Sequence, residues 1–437
     1  MKLFLFAKKL SSVVVIKLSA RLLGMVVAVC LARMMGVEDF GVYSYVVAIV
    51  TVVSIPVQIG LPQLVVRETA KAQVAEAWSL MAGLWRWASL AVLSMSITVL
   101  LIAILTWLIF GLSTDTVDLS VVVIALVLIP LIALGNIRGA ALRGLRFVVV
   151  GQIPEFIIKP FSFIFFLILV YYFGGTHLSV KNAFILNLVS AAVAFIVGIS
   201  LLRRYSPKQI YSLQNKYHYK YRYWLKSLLP FAIMGGIQVV DKQTDILMLG
   251  LIGEMKEVAV YKIVVTGASL VVFGLSAANM VFSPHFARLY EQKEYEKLQA
   301  LVTDCARVIM LISVPAALVV ILFGSEMLEI LFGKEYKIGY PALIILVVSQ
   351  LVNATFGPVG FLLNMTGHEA DTTKIVAVGA IINVVLNALL IPAYGINGAA
   401  IATMISVFTW NLLLCRKVWI KLNINSTVFK FSGKVLP

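Results

Sequence analysis

Two cations stand where a membrane-crossing segment should carry none. The run from Ser11 to Arg33, SSVVVIKLSARLLGMVVAVCLAR, is long and apolar enough to cross a bilayer, yet Lys17 and Arg21 lie in its middle. A spacing of i, i+4 sets both on one side of a helix. A cation at mid-membrane costs roughly 2.5–3.5 kcal/mol on insertion scales, so a pair on one face points to a polar interior and away from lipid. There the two could supply counter-charge and donors to an anionic group. An internal salt bridge is the competing use.

Asp241-Lys242-Gln243-Thr244-Asp245 forms a second constellation in another apolar run. Asp241 and Asp245 share a face at i, i+4, and Lys242 can reach Asp245 at i, i+3. A turn near residues 253 and 254 puts Asp245 and Lys262 equally far from it. An Asp245–Lys262 ion pair at similar depth is therefore expected, either neutralising two charges or gating. A charge-reversal swap of the two should then recover what either single change loses. Asp241, the deeper acid, is a candidate for proton or sodium binding, or for pairing with Lys17 or Arg21. Glu155 and Lys159, again i, i+4, lie between Pro154 and Pro160. They form either a local pair snorkelling to the interface or a contact at a broken helix. The buried cations Lys17, Arg21, Lys159, Lys242 and Lys262 are the candidate substrate-binding set, and Asp241 and Asp245 the candidate coupling or gating acids. No residue is assigned to catalysis or metal.

The elements that must hold these residues follow from composition. With 61% hydrophobic and 13% charged residues and a mean hydropathy of +1.00, the chain reads as an all-α, multi-pass membrane protein. Twelve spans near the roughly 20 residues that a hydrocarbon core requires are expected at 11–33, 40–64, 88–110, 119–142, 152–173, 179–202, 227–252, 257–284, 301–324, 338–364, 372–392 and 396–419. The basic N-terminal MKLFLFAKKL precedes a span too long for a signal h-region, so this span is expected to be retained.

Charge sets the orientation. With the N-terminus in the cytoplasm, 26 of the 36 Lys and Arg fall in inner connections and tails, Arg138 to Arg146 among them. Only Arg33, Lys181, Lys256, Lys334 and Lys337 fall outside, and the other five lie within spans. That asymmetry places both termini in the cytoplasm and makes the net charge of +16 topological, with no nucleic-acid partner implied. The longest connection, RRYSPKQIYSLQNKYHYKYRYWLK, has seven basic residues and no acidic one. It is either an interfacial linker or a grip for anionic headgroups or a diphosphate.

Residues 180–190 resemble residues 396–406, 216 positions later, and Met35-Gly36 with Val42-Tyr43 echoes Leu249-Gly250 with Val260-Tyr261. The chain is thus expected to hold two parallel six-helix lobes around a central cavity, a transporter plan: an N-terminal lobe 1–202, a connecting loop 203–226, a C-terminal lobe 227–420 and a tail 421–437. Cys30, Cys305 and Cys415 sit in or beside apolar runs without paired spacing, so packing is their expected role. The four histidines fall at span ends or in loops. Pro56, Pro130, Pro230, Pro315 and Pro358 can kink helices around a cavity or serve ordinary packing. No GxxxxGK[ST] P-loop is present in the sequence.

Residues Ala32 to Tyr43, Gly60-Leu61-Pro62-Gln63 running into Arg67-Glu68, Arg138-Gly139 with Leu142-Arg143-Gly144, Asp241 to Gly250 with Val258 and Tyr261, and Asn364 to His368 carry a family resemblance. They are similar to the polysaccharide-unit (O-antigen) flippases of the multidrug/oligosaccharidyl-lipid/polysaccharide exporter superfamily, which are MATE-like in fold. The resemblance implies twelve helices and an undecaprenyl-diphosphate-linked oligosaccharide moved from the cytoplasmic to the periplasmic leaflet of a bacterial inner membrane. It implies no cofactor, membrane lipids as surroundings, and a polysaccharide polymerase and chain-length regulator as further partners. Coupling to H+ or Na+, or pull by consumption of the delivered unit, both fit. Two other classes compete. A MATE-like exporter of drugs or small metabolites should rely on acidic or aromatic pockets. A membrane polymerase or glycosyltransferase should show a large extramembrane loop with clustered carboxylates or His.

Overall fold

The computed structural model describes residues 2–58, 60–110, 119–175, 177–210 and 217–428. Residues 211–216 of the basic connection and 429–437 of the tail lie outside the described residues. The described chain is built of helices and divides into two compact units, Met1–Gln243 and Thr244–Pro437.

In the first unit α1 (Lys2–Met35) and α2 (Val37–Val53) are separated by Gly36 alone, whose φ of +79° is a turn that only glycine adopts without strain. A bent continuation follows, α3 (Ile55–Gln58) and α4 (Leu61–Val74), and then α5 (Trp78–Phe110), α6 (Leu119–Gly144), a π-helical turn at Pro154–Ile158, α7 (Lys159–Gly174) and α8 (Val180–Tyr205). Ser179 caps α8 by accepting from the Asn182 backbone N–H. The α6–α8 seam is made of small residues. Ala125, Ala133, Ala140 and Ala141 on one helix and Ala183, Ala191, Ala194 and Gly198 on the other are buried, which lets backbones approach where lipid supplies no hydrophobic drive between helices.

Helix α9 (Tyr221–Ile252) runs through the boundary between units. Its start is pinned to the first unit. Tyr223 Oη donates to Glu68 Oε1 at 3.4 Å, Trp224 meets Trp87 with ring centroids 5.2 Å apart, and the His218 N–H donates to the Ser79 carbonyl.

The second unit continues with α10 (Met255–Ala268), α11 (Phe273–Glu291), α12 (Tyr295–Leu331), α13 (Tyr340–Phe356), α14 (Val359–Met365) and α15 (Glu369–Leu422). Glu254 and Glu257 form a reciprocal capping box at the start of α10. Helix α15 is two arms joined at Gly395, φ +52° and ψ −130°.

All twelve expected segments fall on helix, but not all without interruption. The second breaks between Ser54 and Gly60, the eighth between α10 and α11, and the tenth at Gly357. Among the described residues, eight helices are long and apolar enough to cross a membrane, or ten if two bent pairs count as one span each. Large apolar side chains such as Leu101, Phe161, Phe173, Leu311, Leu322 and Leu389 are exposed, a surface suited to acyl chains rather than to water. The chain is a multi-pass membrane protein.

Candidate functional site

The second unit holds a buried carboxylate. Asp245 is 9% exposed and accepts four hydrogen bonds from neutral side chains. Asn387 Nδ2 donates to Oδ1 at 2.7 Å and Asn383 Nδ2 to the same oxygen at 3.2 Å. Tyr261 Oη and Thr403 Oγ1 each donate to Oδ2 at 2.6 Å. Asn387 Nδ2 also donates to Asn383 Oδ1 at 3.1 Å, and Asn383 Nδ2 to Thr403 Oγ1 at 3.3 Å. Asn387 Oδ1 is buried without a partner among the described residues.

Local sequence explains the convergence. Asn383 and Asn387 are one turn apart on the first arm of α15, so both amides reach one carboxylate. Thr403 comes from the second arm, which Gly395 turns back toward it. The backbone at Gly395, with φ +52° and ψ −130°, favours glycine, and a Cβ there would only have to displace the tip of the flexible Glu257 side chain. An isolated buried carboxylate is costly, and four donors compensate it without a cation. The expected Asp245–Lys262 ion pair is therefore not formed. Tyr261, one residue earlier on α10, faces Asp245, and the roughly 100° step of a helix turns Lys262 to another side.

The internal repeat sets Tyr43 opposite Tyr261 and Asn187 opposite Thr403. In the first unit Asn187 Nδ2 donates to Tyr43 Oη at 2.8 Å, an amide where the second unit has the Thr403 hydroxyl.

The first unit gathers positive charge. Lys17, exposed, and Arg21, half-buried, are on α1, which packs against both the π-helical turn and α7. That turn carries Glu155, and α7 opens with Lys159; both are half-buried. Arg138 and Lys159 are the cations whose fields reach Glu155. Arg138, counted among the inner cations, lies on the helix expected at 119–142. It is within α6, its guanidinium 3.2 Å from the centroid of the Phe195 ring, donating from Nη1 to the Phe195 carbonyl at 3.2 Å. The Gly135-x-x-Arg138-Gly139 pattern was the available signal. Gly135 leaves room for the Glu155 carboxylate, and Gly139 lies against the Gly151 backbone. A π-helical insertion is a frequent companion of functional sites. Arg138 and Lys159 thus flank Glu155, and Lys17 and Arg21 lie on the helix that packs against the same turn.

Lys242 is exposed and Asp241 half-buried on α9, and Lys262 is half-buried on α10. Among the described residues no three His, Cys, Asp or Glu gather as a metal cluster.

Broken helices, a buried carboxylate and an apolar exterior define the class as that of multi-pass membrane proteins. Comparison bears this out. An inward-facing multidrug resistance MATE family transporter of the MOP superfamily superposes with a TM-score of 0.78 over 94% of this chain and 98% of its own, at 13% identity. The lipid II flippase MurJ in an inward closed conformation does so with 0.71 over 92% and 86%, at 15% identity. At such identities the likeness is one of fold.

The chain belongs to the family described as polysaccharide biosynthesis protein, whose sequence profile matches residues 30–340. Among curated proteins it is similar to two from Haloferax volcanii. One, Agl15, is named as a probable low-salt glycan biosynthesis flippase and is 26% identical over 39% of this chain and 36% of its own length. The other, AglR, is named as a probable flippase and is 25% identical over 47% and 45%. An uncharacterized membrane protein of Methanocaldococcus jannaschii, MJ1068, is 32% identical over 34% and 28%. The chain therefore spans less than half the length of the curated relatives it matches.

Proposed function

We propose that this protein is a transporter, not an enzyme, and that it moves a polyprenyl-phosphate-linked oligosaccharide between the two leaflets of its membrane by alternating access. The observation that carries this reading is the excess of cations over acids on α1, α6 and α7. A polyprenyl tail can stay in lipid, whereas phosphates and sugars cannot cross hydrocarbon unaided. Lys17 and Arg21, with Lys159 on the helix packed against theirs and Arg138 on α6, supply the counter-charge and donors that a diphosphate needs. Lys242 and Lys262 are further candidates along the route. The family and the two archaeal flippases support a glycan-linked lipid over a drug, as do cations where a drug exporter would need acids or aromatic walls.

The finer form of the reading is an undecaprenyl-diphosphate-linked repeat unit crossing a bacterial inner membrane outward, with both termini cytoplasmic and twelve helices in two lobes, 1–202 and 227–420. A polymerase and a chain-length regulator would then receive the product. For coupling, Asp245 is the proposed proton or sodium site and Asp241 a gating acid. One carboxylate among amide and hydroxyl oxygens suits a single monovalent charge. The unpartnered Asn387 Oδ1 is an oxygen ready for a cation, and the amides need only rotate to offer it.

Deletion of the gene tests the transport reading. Lipid-linked glycan should accumulate on the inner leaflet, read by its inaccessibility to added glycosidase in spheroplasts. Normal surface glycan in a strain with no second transporter would overturn it.

A further inference from the structure

The second crossing is broken in a way that leaves a cavity. Helix α2 ends at Ser54, α3 lasts four residues, and Gly60, φ +60°, opens α4. Between this break and the Phe231–Val239 stretch of α9 lies a cavity of about 310 Å³. It is at the lower end of the roughly 300–1,000 Å³ of small-molecule pockets, so it holds one ring and not an oligosaccharide. None of its lining residues is charged.

Its chemistry is that of a hydroxylated ring. Thr51, Ser54, Gln58 and Gln63 line it with hydroxyls and amides, and Phe231 lines it with an aromatic face. Gln58 is held at both ends of its amide. Asn136 Nδ2 donates to Gln58 Oε1 at 2.9 Å, and Gln58 Nε2 donates to Ser54 Oγ at 3.3 Å. Gln63 is exposed at the N-terminal turn of α4. Arg67, one turn further, stands 5.5 Å over the Phe231 ring. Its Nη2 is buried without an acceptor among the described residues, although its Nε donates to Glu68. Arg67 is not among the residues that line the cavity, so the polar groups a ligand would meet there are those of Thr51, Ser54, Gln58 and Gln63. A pyranose suits this lining, with an apolar C–H face for the Phe231 ring and a rim of hydroxyls for the Gln58 and Gln63 amides and the Thr51 and Ser54 hydroxyls.

We propose that this cavity is a monosaccharide subsite that takes one neutral pyranose of the transported glycan. The inference rests on the flippase reading and adds to it the residues that tell one sugar from another. Gly235 and Gly236 on α9 keep the cavity open. A Cβ at Gly235 meets nothing within 4 Å, so a larger side chain there fills the space without moving backbone.

The test uses the full chain in lipid nanodiscs. Saturation-transfer NMR is run with methyl glycosides of glucose, galactose, mannose, rhamnose and N-acetylglucosamine, and farnesyl diphosphate binding is measured separately. At least one glycoside should receive saturation, and its affinity should fall about tenfold or more, equivalent to 1.4 kcal/mol, in Gly235→Leu and in Phe231→Ala. Gln63→Ala, an exposed change that leaves the fold alone, should weaken it too. A Lys17→Gln/Arg21→Gln variant should keep glycoside binding and lose farnesyl diphosphate. Farnesyl diphosphate binding with no glycoside response would overturn the subsite and leave the flippase reading standing. Equal glycoside binding in Gly235→Leu would likewise overturn it by putting the sugar elsewhere. Loss of both ligands in the unmutated protein would overturn both.

Discussion

Asn387 donates to the carboxylate of Asp245 at 2.7 Å across 142 residues of chain. The bond joins the end of one helix to the middle of the longest helix of the second unit, and three more donors complete it. The site's chemistry follows from its being neutral on every side except for one acid.

Asp245→Asn removes the charge, keeps the shape and turns one acceptor oxygen into a donor. Transport should lose its dependence on an imposed ion gradient, and thermal unfolding should come earlier because the four donors lose a charged acceptor. The check is flux in proteoliposomes under imposed sodium or proton gradients. Retained ion dependence would remove Asp245 from coupling.

Asn387→Ala leaves an acceptor on a buried carboxylate short of a donor. Hydrogen bonds to charged groups contribute about 1.5–3 kcal/mol, so thermal unfolding should show a loss of that order. Asp245→Asn with Asn387→Asp, which moves the acid one bond away, should restore part of it.

Exchanging Asp245 and Lys262 should not rescue either single change. Tyr261 and not Lys262 meets the carboxylate, so a lysine at 245 would be buried among Asn, Thr and Tyr donors with no acid beside it. Flux from Asp245→Lys, Lys262→Asp and the double variant decides this, and recovery in the double would show that the two charges meet in another state of the cycle.

Lys17→Gln and Arg21→Gln should each weaken binding of a polyprenyl diphosphate about tenfold or more, since charge-assisted bonds contribute roughly 1.5–3 kcal/mol. Titration with farnesyl diphosphate in nanodiscs reads it. Arg138→Lys should be no milder than Arg138→Gln, because an ammonium cannot reproduce the planar contact with Phe195.

Gly395→Ala should destabilise the second unit by about 1–3 kcal/mol. The position has a positive φ that an L side chain adopts only with strain. Hydrogen exchange at the Asn383 to Thr403 amides would rise selectively if the two arms of α15 are held together there.

Some of this was legible in the residues themselves. Apolar runs of membrane-spanning length are a property of composition, and so is the multi-pass class. Lys17 and Arg21 at i, i+4 declared themselves because a cation in such a run is too costly to be incidental. The repeat echo picked out Tyr43 and Tyr261 because equivalent helix positions keep equivalent packing. Other features depended on how separate helices meet. An Asn pair at 383 and 387 looks like any polar interruption until α15 folds back at Gly395 and aims both amides at a carboxylate on α9. Arg138 was counted with the inner cations, and its stacking on Phe195 was invisible because hydropathy says nothing of which neighbouring helix a side chain meets. Lys262 was at the right depth for Asp245, but depth along a helix is set by residue number and direction around it by the packing of neighbours. Chain order alone therefore determined that apolar helices of membrane-crossing length would form, because hydropathy is local, and tertiary contact decided which of their residues face one another.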